Sequence, residues 1–589
     1  MSAVERVRAA LAGLDAVDRP EVWVALREPG EVLAEAAAVD ARVAAGEDLP
    51  LAGQLLAVKN NVDVAGLATT AGCPAFGAVA RHDAPAVARL RAAGAVVLGA
   101  TNLDQFATGL VGTRSPYGAV RDARRPDRIS GGSSSGSAVA VALGLVDLAI
   151  GTDTAGSGRV PAALQGIVGI KATVGVVPTD GVVPACRSFD CVTVLARDLP
   201  TAERAMGLLA GGARPWPADV PLAAPSVPRV AVPRDLPALA PSWAEAFART
   251  VQGLRESGAE VVEVDLAPFL AAARLLYDGG LVAERHAAVG AFVDAHRDDV
   301  DPVVGGIVAA AGTVTASRYV ADTERLEALR GQAMASLEGL DALLVPTAPQ
   351  HPTLAEVAAE PVAVNSAMGT YTNFANLFDL CAVAVPAGTA DDGPVQGPGS
   401  TAQFGVTVLA RAFADAVAAD VARRVVALPE PPPLAVTGTA PPLERTGPWP
   451  VAAGARAVPL VVVGAHRRGQ PLVAELESRG AAWGGEVRTA PSYRLLALDT
   501  APPKPGLVRS PEGAGGASIT GERWWLSEAA LGSFLAALPS PMLLGAVQLD
   551  DGTWPVGFAC DAVAAASGRD LTEHGDWLVA LRAGALAGR

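Results

Sequence analysis

Short apolar runs alternate with amphipathic stretches through most of the first 428 residues. From Leu55 onward, runs rich in Val, Ile and Leu are separated by Ala-rich windows in which apolar residues recur with helical spacing. Strands and helices that alternate in this way are typical of βα units around a parallel or mixed sheet. The pattern predicts strands at LLAVKNNVDV, GAVVLGATN, LVDLAIGTDT, RVAVPRDL and DALLVPTAP, and helices at APAVARLRAAG, GSAVAVALGL and SWAEAFARTVQGLRESG.

The ends of the chain differ from this central part. Residues 1–50 show helical spacing alone, with Ala and Val placed among Glu and Arg. A proline-dense, weakly charged stretch at 429–458 suits neither a helix nor a central strand, so we interpret it as an interdomain linker. Residues 459–589 then show strand, helix and strand patterns at PLVVVGAH, LVAELESRG and YRLLALD. A shorter proline-rich stretch, Pro215 to Pro228, predicts a surface loop.

The predicted fold class is therefore α/β. A domain at residues 1–428 has a mixed central sheet flanked by helices, and a smaller C-terminal α+β domain follows the linker. The length supports two domains, because 589 residues exceed what one hydrophobic core usually holds together. Half of the residues are hydrophobic and 18% are charged, which favours a packed globular protein.

Charge and composition exclude several classes of partner. The formal net charge of −15 argues against a protein held on nucleic acid by phosphate contacts. The most apolar stretch, Ala138 to Ile150, is shorter than the roughly 20 residues of a bilayer span. The N-terminus lacks an apolar signal segment, and the five cysteines are scattered as in a reducing compartment, so we expect a cytoplasmic protein. No His, Cys and carboxylate cluster has ligand spacing, so no metal and no cofactor is predicted.

The densest chemical signal is the sequence SGGSSSGS at residues 130–137, which precedes an Ala and Val helix. It can be a flexible linker, a phosphate-binding turn, or a tight turn that presents hydroxyl groups at the end of a sheet. A linker is disfavoured inside a continuous apolar domain, and a P-loop requires a lysine after its last glycine. The turn that presents hydroxyl groups is therefore favoured.

A second segment, GTDTAGSGRVPA at residues 151–162, places Ser157 among small residues just after a predicted strand. Backbone N–H groups of such a turn can point at one spot and form an oxyanion hole. The same turn is equally compatible with Asp153 acting only as a structural cap.

Lys59 ends the apolar run LLAVK. A lysine at the end of a strand is usually solvated, but a lysine buried in a pocket loses its proton readily and can act as a base. The six histidines lie in unrelated contexts, so the sequence carries no signature of a Ser-His-Asp triad.

Together and in this order, the three segments resemble the amidase signature family over roughly residues 50 to 425. The resemblance implies a Ser–Ser–Lys triad: Ser157 is the nucleophile, Ser133 is a bridging serine on a cis peptide bond, and Lys59 is the base. It also implies an oxyanion hole formed by the backbone N–H groups of Thr154, Ala155, Gly156 and Ser157. The chain departs from the family pattern at Ala155, where most members have glycine, and at Asn60, where Asp or Gly is commoner.

The amidase core, the proline-rich linker and the C-terminal domain together resemble the allophanate hydrolases of that family. This resemblance implies that Tyr277 and Arg285, in LYDGGLVAER, bind the substrate. Without this resemblance, the favoured interpretation is that Tyr277 is a core residue and that Arg285 lies on a helix surface. It also implies that the C-terminal domain assists decarboxylation of the N-carboxycarbamate intermediate, with His466 in VVVGAH as the candidate catalytic residue. The alternative for this domain is a role in assembly or partner docking.

The resemblance implies hydrolysis of allophanate, a small anionic substrate, to ammonia and carbon dioxide. It further implies a homodimer and a functional link to a urea carboxylase. Another small-amide amidase, or an amidotransferase A-type subunit, has the same fold and stays open as an alternative. A non-catalytic scaffold is disfavoured, because a binding module has no use for Lys59, Ser133 and Ser157 together.

Overall fold

Two compact units make up the part of the chain that the structure describes. The computed structural model describes residues 1–391, 402–427 and 447–585, apart from residues 502, 512 and 514. The first unit comprises Met1–Pro215 with Val227–Arg445, and the second comprises Trp216–Ser226 with Thr446–Arg589. The predicted linker lies outside the described residues as far as residue 446.

One large mixed sheet forms the centre of the first unit. The strands of this unit are β1 (Trp23–Leu26), β2 (Leu55–Lys59), β3 (Ala68–Thr69), β4 (Ala78–Val79), β5 (Val96–Thr101), β6 (Leu148–Asp153), β7 (Val168–Lys171), β8 (Cys191–Ala196), β9 (Arg229–Pro233), β10 (Glu260–Val264), β11 (Ala342–Pro346), β12 (Cys381–Ala390) and β13 (Ala402–Ala410). Apart from β3 and β4, these strands form one sheet in the order β1-β5-β2-β6-β8-β7-β12-β13-β11-β9-β10. The strands β5, β2 and β6 are parallel, as are β11, β9 and β10, whereas β6 and β8 are antiparallel. The predicted mixed sheet is confirmed.

Helices of the first unit pack on this sheet and extend beyond it. They are α1 (Ala3–Val17), α2 (Pro29–Ala44), α3 (Pro85–Ala92), α4 (Ser135–Ala142), α5 (Arg159–Gln165), α6 (Leu199–Leu209), α7 (Pro241–Glu256), α8 (Ala267–Leu275), α9 (Ala283–Ala295), α10 (Pro302–Ala311), α11 (Ala316–Ser336), α12 (Leu354–Ala359), α13 (Ala363–Met368), α14 (Asn373–Leu377) and α15 (Asp415–Ala422). Among the described residues, no single helix is long and apolar enough to cross a membrane. Helices α10 and α11 meet that length and composition criterion only as a pair, across a bend of 94°.

The N-terminal region contains a strand that its helical spacing does not predict. Helices α1 and α2 agree with the prediction for residues 1–50, but β1 lies between them and pairs antiparallel with β5. This strand is only four residues long and only Trp23 in it is buried, so its sequence has no alternation of apolar and polar residues to reveal it.

The sheet positions two chemically important segments at one edge. Strands β2 and β6 are buried along their whole length, and their sequences are mostly continuous apolar runs. This is expected for parallel strands that are covered on both faces. Because they run parallel as neighbours, their carboxyl ends, at Lys59 and Asp153, lie at the same edge of the sheet. Helix α4 packs on both strands and begins at Ser135, directly after the Gly and Ser turn. Its residues are all buried, and their small side chains permit this close packing.

The second unit contains two smaller sheets and short helices. Its strands are β14 (Ala457–Val462), β15 (Ala482–Arg488), β16 (Tyr493–Leu498), β17 (Lys504–Arg509), β18 (Thr520–Ser527), β19 (Met542–Ala546), β20 (Val556–Cys560) and β21 (Arg569–Asp570). They form the sheets β15-β18-β14-β20-β19 and β17-β16-β21. Its helices are α16 (Trp449–Ala452), α17 (Val473–Glu477), α18 (Glu528–Ala537), α19 (Ala562–Ser567) and α20 (Trp577–Arg582). The arrangement is α+β, as predicted.

The proline-rich segment Trp216–Ser226 is an irregular loop that belongs to the second unit, and most of its residues are exposed or partly exposed, in agreement with the predicted surface loop. The Leu222 N–H donates to the Gly480 carbonyl at 2.8 Å, and the Ser226 hydroxyl donates to Glu477 at 2.7 Å. Val220 and Leu222 are buried. Apolar side chains between the prolines give this segment its packing surface, although the prolines exclude regular structure.

Candidate active site

Lys59, the predicted base, is completely buried at the carboxyl end of β2. Its Nζ atom lies 2.8 Å from the Ser133 Oγ and 2.7 Å from the Thr152 Oγ1. The structure therefore brings together two of the three predicted triad residues. Thr152, which the sequence did not single out, is a second neighbour of the amine.

Burial changes the acid–base behaviour of this lysine. The loss of hydration lowers the pKa of Lys59 from its ordinary value of 10.5 to about 7, although the carboxylates of Asp104, Asp153 and Asp190 oppose the shift. The nearby positive charge of Arg285 lowers the Lys59 pKa further. A large fraction of Lys59 is therefore unprotonated near neutral pH and able to accept a proton from Ser133.

The turn that carries Ser133 depends on its two glycines. Gly131 has a φ of +78°, and the Gly132–Ser133 peptide bond is cis, as the family resemblance implied. A Cβ atom on Gly132 would lie 2.1 Å from the Asp104 Oδ2, so no larger residue fits without rearrangement. The next residue, Ser134, exchanges hydrogen bonds through its hydroxyl with the backbone of Thr152, at 3.1 and 3.2 Å. These contacts fix the turn against the end of β6.

Asp153 organises the loop that carries Ser157. Its carboxylate accepts hydrogen bonds from the N–H groups of Gly156 at 2.8 Å and Gly158 at 3.1 Å, and from the Arg159 guanidinium at 2.9 Å. Burial raises the pKa of this carboxyl, but Arg159, the charge of Lys171 and the Gly156 N–H together outweigh burial and lower the pKa to about 2. Asp153 is therefore charged at neutral pH and caps N–H groups of this turn, which is the structural role that the sequence left open for it.

The loop also adjoins the Ser133 turn. The Ser134 N–H donates to the Ser157 carbonyl at 3.1 Å, so the segments that carry the two predicted serines are in direct contact. Ser157 itself is 3% exposed.

The same loop supplies the donors for the predicted oxyanion hole. Within the described part of the chain, the backbone N–H groups of Thr154, Ala155 and Ser157 donate to no protein atom. The fourth predicted donor, Gly156, already donates to Asp153. Three of the four N–H groups are therefore available to an oxyanion in this structure.

A segment after α13 holds the loop from the other side. The Thr372 hydroxyl donates to the Ala155 carbonyl at 2.7 Å, and the Asn376 side chain donates to the Asp153 carbonyl at 2.8 Å. Arg159 donates in turn to the Thr372 carbonyl at 3.1 Å and to the Asn376 Oδ1 at 2.8 Å. The sequence did not identify Arg159 as a partner of the segment at residues 369–377, because the two are more than 200 residues apart.

Arg285 and Tyr277, the predicted substrate-binding residues, contact each other in the first unit. Arg285 lies on α9 and is 1% exposed, so it is not the solvated helix-surface residue of the alternative interpretation. Its guanidinium donates to the Tyr277 hydroxyl at 3.1 Å and to the Thr108 Oγ1 at 2.9 Å. Its Nε is buried and has no partner among the described residues. A buried cation with an unused donor is the arrangement expected for binding a small carboxylate.

His466 lies in the second unit and lines a cavity of about 190 Å³. Its ring stacks on Phe558 with 5.0 Å between centroids, and its Nε2 is 3.0 Å from the Glu475 carboxylate. Burial lowers the pKa of His466, and the positive charges of Lys504 and Arg479 act in the same direction, while Glu475 opposes them. All residues that line this cavity belong to the second unit, so the cavity is a second candidate site.

The described residues offer no group of three or more His, Cys, Asp or Glu side chains that could hold a metal ion.

The chain belongs to the amidase family, whose pattern matches residues 5–417. Residues 458–582 match the allophanate hydrolase C-terminal domain. Both family assignments agree with the resemblance drawn from the sequence, which is thereby confirmed.

Individual relatives share this two-part architecture. The chain is similar to urea amidolyase of Saccharomyces cerevisiae, at 38% identity over 548 residues, which is 90% of this chain and 29% of the relative. The chain thus spans less than a third of that curated relative. Its structure is similar to that of Kluyveromyces lactis allophanate hydrolase, with a TM-score of 0.87 and 35% identity over 99% of this chain and 97% of the other. It also matches part of the K. lactis urea amidolyase structure, with the same TM-score and identity and 36% of that chain covered.

Proposed function

We propose that this chain hydrolyses allophanate, the monoanion urea-1-carboxylate, to ammonia and carbon dioxide. The observation that carries the proposal is the buried Arg285 guanidinium, whose Nε has no partner among the described residues, in the unit that also holds the Lys59 and Ser133 pair. A flat, small carboxylate suits that guanidinium, while an uncharged amide leaves the buried cation without a counter-charge. The relatives named allophanate hydrolase and urea amidolyase support the same substrate.

The first step in this proposal is amide hydrolysis by Lys59, Ser133 and Ser157. Unprotonated Lys59 takes the proton of Ser133, which takes that of Ser157, and the Ser157 Oγ attacks the amide carbon. The oxyanion accepts hydrogen bonds from the loop N–H groups, the C–N bond breaks, and the relay returns the proton to the leaving ammonia. Water then cleaves the Ser157 ester and leaves N-carboxycarbamate, an NH group that carries two carboxylates. Every proton taken from a serine or water is accounted for, so the step needs no cofactor.

The second step is assigned to the C-terminal domain, proposed at residues 459–589. One C–N bond of N-carboxycarbamate breaks, carbon dioxide leaves, and the nitrogen keeps the electron pair and accepts one proton to give carbamate. His466 is proposed to deliver this proton, while Glu475 on its Nε2 orients the ring. Carbamate then decomposes to the second ammonia and the second carbon dioxide.

We also propose the compartment of the enzyme, its oligomeric state and the source of its substrate. Scattered cysteines suit a cytoplasmic enzyme. We propose a homodimer, which light scattering on the purified chain would reveal as twice the mass of 59.3 kDa. Because allophanate is carboxylated urea, a urea carboxylase is the proposed source of the substrate.

A substrate panel tests the proposal directly. Ammonia release by the purified protein is measured with allophanate, urea, biuret, malonamate and simple aliphatic amides, with Ser157→Ala as the inactive control. Turnover confined to allophanate is expected. Turnover of malonamate or aliphatic amides, with none of allophanate, would overturn the substrate and leave another small-amide amidase as the answer.

A further inference from the structure

The basic residues of this chain are almost all arginines. Of 46 Lys and Arg residues, only three are lysines: Lys59, Lys171 and Lys504. Arginine therefore supplies nearly all of the positively charged side chains of the protein, apart from histidine. The three lysines are the positions where this chain has a compact ammonium group in place of its usual planar guanidinium.

Two of the three lysines have clear structural surroundings in the first unit. Lys59 contacts Ser133 and Thr152, as described above. Lys171 is also completely buried, and its Nζ donates to the Leu380 carbonyl at 2.7 Å and the Ala172 carbonyl at 3.1 Å. Lys504, the third lysine, belongs to the second unit and takes part in neither of these groups of contacts.

Lys504 lines the cavity of the second unit together with His466 and Glu475. Unlike Lys171, its ammonium forms no hydrogen bond and no ion pair with any residue that the structure describes. It is partly buried at the start of β17. A partly desolvated cation without a counter-charge has a free energy deficit that an anion in the cavity would remove.

The remaining lining favours a small ligand with a charge at one end. Leu472, Leu538, Met542 and Phe558 make most of the wall apolar. The Glu475 carboxylate hydrogen-bonds to the His466 ring at 3.0 Å, so Lys504 is the basic side chain of the lining that has no hydrogen-bond partner among the described residues. A volume of about 190 Å³ holds a molecule of the size of a three-carbon or four-carbon diacid, and excludes a peptide or a nucleotide.

We propose that Lys504 binds a carboxylate of a small dicarboxylate anion in this cavity and holds the anion beside His466. The inference rests on the proposed function in one respect: the natural ligand would be N-carboxycarbamate. Lys504 then selects the dianion over the monoanion allophanate and holds it where the His466 ring can deliver a proton to its nitrogen.

The scarcity of lysine makes a direct binding experiment possible. Reductive methylation with ¹³C-formaldehyde labels accessible amines and keeps their charge. Lys59 and Lys171 are completely buried, so Lys504 and the N-terminal amine are the sites expected to react. Malonate, in which a methylene group replaces the NH of N-carboxycarbamate, serves as the stable probe. Titration of malonate into the labelled full chain should shift the Lys504 methyl signal, assigned by its loss in Lys504→Arg, and the shift should saturate.

The outcomes of this titration are decisive. Acetate at equal ionic strength should bind at least about tenfold more weakly than malonate, because it lacks the second carboxylate. A Lys504 signal that does not move with malonate, or that moves equally with chloride, overturns the proposal. This result does not depend on turnover, so it leaves the allophanate assay as a separate test of the proposed function.

A kinetic comparison completes the test. Lys504→Gln should slow the release of the second ammonia from allophanate about tenfold or more, and Lys504→Arg should restore part of that rate. The matched control is Arg494→Gln, which removes a cation of the same unit that pairs with Asp570 and does not line the cavity. Equal rates of release of the second ammonia in Lys504→Gln and Arg494→Gln would contradict the proposal. If Lys504→Gln does not fold, the same rate is measured in Lys504→Arg, and a rate equal to that of Arg494→Gln would then contradict the proposal.

Discussion

Lys59 lies in surroundings that a lysine at a strand end rarely has, because its side chain is wholly buried and its amine hydrogen-bonds to hydroxyl groups. The hydroxyl of Thr152 accepts a hydrogen bond from the amine and a second one, at 3.2 Å, from Asn61. Thr152 therefore holds Lys59 in place without neutralising it. At the residue scale, the site consists of an amine with a lowered pKa and two hydroxyl groups that direct it.

The lowered pKa of Lys59 predicts the pH dependence of the first step. Lys59 must be unprotonated to accept a proton, so kcat/KM should rise with pH through about 7 and level off above it. The measurement is initial ammonia release from allophanate between about pH 5.5 and pH 9, in about half-unit steps over a range that spans this pKa. A profile that falls through pH 7 would contradict a basic role for Lys59.

Removal of the Thr152 hydroxyl should weaken the positioning of Lys59. Thr152→Val keeps the shape of the side chain but leaves the amine one acceptor short, so kcat should fall about 10- to 100-fold with little change in KM. The matched control is Thr250→Val on α7, whose hydroxyl bonds only within its own helix. Equal kcat values for the two variants would show that Thr152 has no special role.

At the element scale, the turn between β6 and α5 carries both Ser157 and the predicted oxyanion donors. The buried pair of Asp153 and Arg159 closes this turn, and Arg159 links it to α14 through Asn376. Partners on three separate elements therefore keep the backbone N–H groups in one orientation before substrate arrives. Such preorganisation is what oxyanion stabilisation requires.

Breaking that buried pair should cost stability as well as activity. Arg159→Met leaves the charge of Asp153 buried without its partner, and the free energy of unfolding should fall by about 3–5 kcal/mol in urea titrations. The control is Arg229→Met, which removes an exposed pair with Glu260 and should cost less than about 1 kcal/mol. Similar losses in both variants would mean that the Asp153 pair does not stabilise the turn.

At the scale of the whole molecule, two units divide the proposed reaction. The first unit contains the residues proposed for amide hydrolysis, and the second contains the cavity lined by His466 and Lys504. Each unit has its own hydrophobic core, so the two sites are built independently of one another. Variants in one unit should therefore change one step.

The stoichiometry of ammonia release tests this division of labour. His466→Gln should release the first ammonia from allophanate at the wild-type rate and slow the second about tenfold or more, since the nitrogen loses its proton source. Rapid quench with ammonia detection resolves the two releases. His574→Gln, also in the second unit but away from the cavity lining, is the control. Unchanged kinetics in His466→Gln would favour assembly or docking as the role of this domain.

Several features of the fold and site follow from local sequence alone. The apolar runs at β2, β5 and β6 predict buried strands because they do not alternate with polar residues. In the structure, every residue of these three strands is buried. The Gly and Ser turn and the loop of Ser157 are identifiable by composition, since tight turns with close backbone approach tolerate few other residues. Strand β1 and the packing of Trp216–Ser226 were not predictable in this way, because each is defined by a distant partner.

The sequence by itself determined which side chains are available: two serines in tight turns, a lysine at a strand end, and an arginine eight residues after Tyr277. It left open whether Lys59 is solvated, whether Asp153 is only a cap, and whether Arg285 faces water. Only the tertiary structure decided these questions, because burial and hydrogen-bond partners come from residues far apart in the chain. Lys59 meets Ser133 across 74 residues, and Arg285 meets Thr108 across 177. Those long-range contacts exclude water from both side chains. The burial lowers the pKa of Lys59, and it leaves the Arg285 guanidinium as a buried cation that suits a small carboxylate.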